Sequence, residues 1–144
     1  MPSIVCTLVT SEAELQEAFE VRWQVFVREQ GIDESVEYDS LDTEAVHVVA
    51  REGGRAIGTA RVRFPAPGSA RIERMAVLEP FRRRGAGSAI LSFVMQHLRD
   101  QQVSRAVLHA QTAVKVFYAV HGFSETGDPF QEAGIEHIEM YIDL

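Results

Sequence analysis

The chain has 144 residues, 46% of them hydrophobic, which suits a single globular domain built around one core over residues 1–144. Its net charge of −7 argues against a general nucleic-acid binder, which needs a basic face. The single cysteine, Cys6, excludes a disulfide framework or a thiolate metal site within one chain, and the five histidines do not fall at ligand spacing, so no metal is expected.

No stretch approaches the roughly 18 apolar residues of a membrane span. The first residues lack the charged and apolar regions of a secretory signal. A cytoplasmic protein with no membrane association is the expectation.

Ser3 to Val9 is rich in β-branched residues and reads as a first strand. Ser11 and Glu14 then form a capping-box pattern that opens a helix. Leu15, Phe19, Trp23 and Phe26 follow at helical spacing and predict one buried stripe. Residues 29 to 44 are polar and acidic and read as a loop or short helix. Ala45 to Arg51 and Arg55 to Phe64 are strands joined by a tight turn at Glu52-Gly53-Gly54. After the Pro65–Ser69 connection, Ala70 to Val77 is the next strand. Gly85 to about Arg99 carries a helical apolar face of Ile90, Leu91, Val94, Met95 and Leu98. Arg105 to Ala110 is a strand and Ala113 to Val120 a short helix, stopped by Gly122. Phe123 onward and Ile135 to Ile142 form a final hairpin, with a break at Gly127-Asp128-Pro129. The order predicts an α/β domain with a mixed, mostly antiparallel sheet flanked by helices.

The stretch Arg82-Arg83-Arg84-Gly85-Ala86-Gly87-Ser88 lies between a strand and a helix. A glycine turn opening a helix presents free backbone N–H groups at the positive end of the helix dipole, which is where a pyrophosphate binds. The three arginines add fixed charge. A dinucleotide fingerprint is the rival, but Ile90 stands where its third glycine belongs. No acidic residue closes a second strand about twenty residues on, where the chain reads Ala106-Val107-Leu108-His109.

The Arg-x-x-Gly-x-Gly spacing resembles the acyl-CoA loop of the GNAT superfamily of N-acyltransferases. Glu73-Arg74-Met75-Ala76-Val77 resembles the strand that precedes the loop in that family. Val116-Phe117-Tyr118-Ala119-Val120-His121-Gly122-Phe123 resembles its Phe-Tyr-x-x-x-Gly-Phe signature. The segment Phe130 to Met140, with Val25 to Gln30, Asp39, Asp42, Ala45 and His47, is similar to the ElaA-like and YjcF-like branch. The likeness runs from about residue 19 to residue 142.

This resemblance implies acetyl transfer from acetyl-CoA to a primary amine by direct attack in a ternary complex. It implies that Gly85, Ala86, Gly87 and Ser88 hold the pyrophosphate with Arg82, Arg83 and Arg84. It also implies that the backbone of Met75, Ala76 and Val77 aligns the pantetheine, with Gln111 and Phe117 beside it. Tyr118 is the implied acid, since a neutral phenol can donate to a departing thiolate. Glu73 is the candidate base, with an arginine ion pair as the alternative reading. His137 and Glu29 are candidate substrate contacts, and His137 a second candidate base. Gln111 and Val114 depart from the family's usual Asn and Ala.

The acidic segment from Glu29 to Glu44 either draws a cationic amine such as a polyamine or lies solvated. A protein- or peptide-acetylating enzyme and a non-catalytic acyl-CoA-binding module stand as alternatives, and a homodimer, common among relatives, stays open.

Overall fold

The computed structural model describes residues 3–144. Seven strands form one sheet: β1 (Ile4–Leu8), β2 (Val46–Glu52), β3 (Arg55–Ala66), β4 (Ser69–Val77), β5 (Arg105–Gln111), β6 (Ser124–Glu132) and β7 (Ile135–Asp143). Their spatial order is β1-β2-β3-β4-β5-β7-β6. All pairs are antiparallel except β4 with β5. The helices are α1 (Glu12–Arg22), α2 (Glu34–Glu37), α3 (Ala86–Asp100) and α4 (Lys115–Val120). None is long and apolar enough to cross a membrane.

The apolar face of α3 packs on the sheet. Ile90, Leu91, Val94, Met95 and Leu98 meet Val48, Ala60, Val62, Ala70, Ile72, Leu108, Ile138 and Met140 in the main core. Alternate strand residues point to the opposite face, which is polar around the centre: Arg61, Arg63, Arg71, Glu73, His109 and His137 lie there. The helix α1 covers only part of this face.

Two features differ from the sequence expectation. The buried face of α1 consists of Ala18, Val21 and Arg22, continued by Val25 and Phe26, whereas Leu15, Phe19 and Trp23 are only partly buried. Ala18, Val21, Arg22 and Val25 keep ordinary helical spacing, one position off the expected stripe, and one of the inward positions is held by an arginine rather than an apolar residue. After Arg22 the chain continues as a π-helix over Trp23–Glu29. The expected break at 127–129 is instead an irregularity within β6, between Thr126 and Phe130, and the turn falls at Ala133-Gly134.

Arg22 is fully buried, yet its charge is matched. Its guanidinium donates to Glu37 at 2.8 Å and to Asp42 at 2.7 Å. The equally buried Arg61 donates to Asp39 at 2.7 Å, Asp42 at 3.0 Å and Glu73 at 3.3 Å. Arg63 joins on Glu73, and Arg74 bonds Asp39 at 3.3 Å. Four arginines and four carboxylates therefore form one network. Paired in this way, buried charge is tolerated, and it fixes the loop of residues 33–42 against the sheet.

Candidate active site

The parallel pairing of β4 and β5 lasts only from Ser69↔Arg105 to Ile72↔Leu108. Beyond Ile72, β4 stays with β3 as far as Val77, and β5 stays with β7 as far as Gln111. The two strands thus splay apart, and the backbone of Glu73–Val77 on the β5 side has no strand partner. Within this stretch the register slips between Thr59 and Arg61 of β3, and Arg74 takes φ = 53°. That left-handed conformation is unfavourable for a residue with a side chain. It is held because the Arg74 guanidinium grips the α2 loop, donating to the Glu37 carbonyl at 3.3 Å and to that of Val36 at 3.4 Å. The bulge turns backbone groups into the gap.

Helix α3 begins at the mouth of this gap. Its N-cap is Gly85 at φ = 85°, with no capping side chain. By contrast, α1 is capped by Ser11, whose hydroxyl accepts from the Glu14 N–H at 3.2 Å, and α2 by Asp33. The first-turn amides of α3 therefore stay available to an anion. Gly87 leaves the approach open: a Cβ there would lie 3.2 Å from the Phe117 ring and 3.8 Å from Met75. The side chain of Ala86 is buried in the core, so only its backbone can serve a ligand.

The arginines of the loop divide. Arg82 is committed to the protein: Nε donates to the Val77 carbonyl at 2.8 Å, and both terminal nitrogens donate to Glu29 at 2.7 Å. Arg84 pairs with Glu52 at 3.3 Å and lies over Phe81. Arg83 is exposed, at φ = 63°. Two expectations change here. Glu29, expected as a substrate contact, has its carboxylate taken by Arg82 and lines a separate groove beside α1. The Val77 carbonyl is likewise occupied by Arg82.

A cavity of about 540 Å³ runs through the splay. Its lining includes Glu73, Met75, Gln111, Tyr118, Glu132 and His137. Tyr118 on α4 points its hydroxyl at the Met75 sulfur, 3.8 Å away, a weak acceptor. Burial pushes this phenol up to about 12, so it remains a neutral O–H donor. Phe117 packs edge-on against it with 5.1 Å between ring centroids. Gln111 donates to Gln30 at 2.9 Å, tying the end of β5 to the end of the π-helix.

Glu73 lines the cavity, but its carboxylate is shared by Arg61 and Arg63. Burial alone would raise it; the hydrogen bond from Arg63 and the charges of Arg61, Arg63 and Arg71 bring it below the usual glutamate value. A carboxylate so held is a poor proton acceptor at neutral pH. His137 is better disposed. Its Nδ1 lies 2.7 Å from the Ile135 carbonyl, an acceptor only, so that nitrogen carries the donating N–H and the neutral tautomer keeps its lone pair on Nε2. Glu132 stands 3.7 Å from Nε2.

Beside this pair lies His109, which the sequence reading passed over. Its Nδ1 is 2.9 Å from Glu132 and its Nε2 is 3.3 Å from Glu139. The Glu132 contact raises its pKa.

The acidic segment 29–44 is largely spoken for as well. Glu29, Glu37, Asp39 and Asp42 pair with arginines, Glu34 accepts from the Trp23 indole at 2.8 Å, and Asp33 caps α2. This arrangement does not support the drawing-in of a cationic amine. His47 is structural: Nε2 contacts the Asp42 carbonyl at 2.9 Å, and burial lowers its pKa.

Residues 9–144 match the acetyltransferase (GNAT) domain family. The N-acetyltransferase YjcF of Bacillus subtilis, itself uncharacterised, is 34% identical over 94% of this chain and 97% of its own. The chain belongs to the GNAT acetyltransferase family. Among solved structures, a Lactobacillus plantarum protein described as a candidate N-acetyltransferase superposes with a TM-score of 0.92 at 25% identity, covering 99% of each chain. Escherichia coli ElaA shares the fold, with a TM-score of 0.86 at 22% identity over 96% of this chain and 99% of its own. The GNAT family transfers acyl groups from acyl-CoA to nitrogen, and the splay, the uncapped α3 and Gly87 of this chain fit such a donor.

Proposed function

We propose that this protein transfers the acetyl group of acetyl-CoA to the primary amine of a small molecule, by direct attack with both substrates bound. The observation that carries this reading is the joining of the β4–β5 splay to one cavity that holds both an unused phenol, Tyr118, and an imidazole with a free Nε2, His137. A volume of about 540 Å³ is of the size that takes a small ligand.

Acetyl-CoA supplies a thioester already activated for attack. The α3 amides of Gly85 to Ser88 hold its pyrophosphate, with Arg83 and Arg84 nearby. The unpaired backbone of Met75 and Ala76 aligns the pantetheine, and an N–H of this bulged stretch donates to the acyl oxygen. Phe117 walls the approach beside Gly87. Nε2 of His137 takes one proton from the substrate ammonium, the free amine attacks the thioester carbonyl, and Glu132 stabilises the imidazolium that results. Tyr118 donates a hydrogen bond to the departing thiolate, which leaves as the thiol on taking up the second proton released by the acylated nitrogen. Glu73 keeps Arg61 and Arg63 in place rather than taking the proton. Cys6 lies on β1 outside the cavity lining, and burial raises its thiol pKa, so it offers no covalent route.

Thiol release from acetyl-CoA, followed across a panel of amines, tests this reading. Release that depends on the amine and falls at least tenfold in His137→Asn is expected. Saturable acetyl-CoA binding without thiol release on any amine would instead make the protein a binding module. A His137→Asn variant as active as the parent would remove that residue from proton transfer.

A further inference from the structure

The cavity is lined by three arginines, and two of them have their partners. Arg74 is bonded to the α2 loop, and Arg82 to Glu29 and the Val77 carbonyl. Arg71, on β4 two residues before Glu73, is different. It makes no ion pair with a carboxylate among the described residues, and its Nε is buried without a hydrogen-bond partner.

Among the described residues, the only polar neighbour of its Nη2 is the His109 ring, at 3.0 Å from Nε2 and 3.2 Å from Nδ1. The two nitrogens of that ring are also faced by Glu132 at Nδ1 and Glu139 at Nε2, so Arg71 shares the ring with two carboxylates. Arg71 presents a guanidinium whose fork of N–H donors finds no oxygen acceptor among the described residues. A partly buried guanidinium in a substrate cavity is matched by a planar anion that takes two of its N–H groups at once.

We propose that Arg71 binds an acidic group carried by the acceptor, so that the substrates are amines bearing a carboxylate or a phosphate rather than polyamines or neutral aminosugars. The inference rests on the acetyl-transfer reading above and adds the substrate class to it. Glu132 and Glu139 hold His109 beside Arg71, and each carboxylate is engaged with the ring rather than with the guanidinium. The amine end of the acceptor then reaches His137 on β7, across the same cavity.

The test is steady-state acetylation of paired amines that differ only in the acidic group. Glycine, β-alanine, γ-aminobutyrate and ε-aminohexanoate are each run beside the corresponding carboxamide, with diamines of matched length as cationic controls. A phosphorylated aminosugar is run beside its dephosphorylated form. The best acid is expected to exceed its amide by tenfold or more in kcat/KM, mainly through KM. Arg71→Met should collapse that ratio toward one, and Arg71→Lys should restore part of it. Preference for the phosphorylated sugar with the same dependence on Arg71 would identify the acidic group as phosphate.

Amides or diamines that are turned over as well as the acids would overturn the proposal and leave acetyl transfer standing. So would an Arg71→Met variant that slows both members of each pair equally, since that marks a structural role. Thermal melting of both Arg71 variants separates misfolding from lost recognition. Failure to bind acetyl-CoA, or to release thiol with any amine, would overturn the acetyl-transfer reading and this one with it.

Discussion

Tyr118 is the residue whose environment speaks most directly to its role. A buried phenol usually finds a hydrogen-bond partner, yet this one has only a thioether within reach. Burial pushes it up to about 12, so it stays a neutral phenol at neutral pH. The proposed role is that of a fixed donor, strongest against a group that gains negative charge during the reaction. Tyr118→Phe is expected to lower kcat roughly hundredfold, the usual scale for a positioned proton donor, with little change in acetyl-CoA affinity. An unchanged kcat would take the hydroxyl out of the chemistry. Tyr118 was legible in the sequence because the Phe-Tyr pair precedes a glycine at fixed distance. His109 was not. Its partners Glu132 and Glu139 lie 23 and 30 residues away; the pairing of β5 with β7 sets Glu139 opposite it, and that of β6 with β7 brings Glu132 alongside. No local pattern reports such a long-range pairing.

At the scale of elements, the order of strands and helices could be read from hydrophobic period and glycine placement, since both are local. The change from α to π winding after Arg22 could not. No amphipathic pattern anticipates it, or the buried arginine just before it. The bulge in β4 was equally hidden, because Arg74 reaches positive φ only through its grip on residues 36–39. Gly58 illustrates how closely β3 and β4 approach beside that bulge. A Cβ at this position would lie 2.7 Å from Ile90 Cδ1 and 3.2 Å from the Ala76 carbonyl oxygen. The Ile90 side chain can yield, but the β4 backbone cannot yield without disturbing the splay. Gly58→Ala should therefore destabilise the fold by about 1–3 kcal/mol, the usual cost of overpacking, read from urea midpoints. A neutral effect would mean that β4 is looser than its register indicates.

Across the whole molecule, the charge network sets how stability responds to pH. Burial opposes ionisation of Asp39, Asp42 and Glu73, but their arginines outweigh it and hold all three below their usual values. Such groups stabilise the fold above their unfolded pKa, and that contribution is lost as pH falls through the lower folded pKa. His109 acts in the opposite sense. Its raised pKa adds stability that is complete below the unfolded value near 6.5 and fades as pH rises through the folded one. The melting temperature should therefore fall steeply below about pH 4. It should also show a smaller decline above neutrality that His109→Asn removes. A flat profile on the acid side would contradict the network. In the proposed function the β4–β5 splay and the uncapped start of α3 together hold acetyl-CoA. Calorimetric titration of the parent and of Gly87→Val with acetyl-CoA tests it most directly. Saturable binding by the parent, lost in a variant that still melts cooperatively, is the predicted result; no binding by the parent, or undiminished binding by the variant, would contradict it.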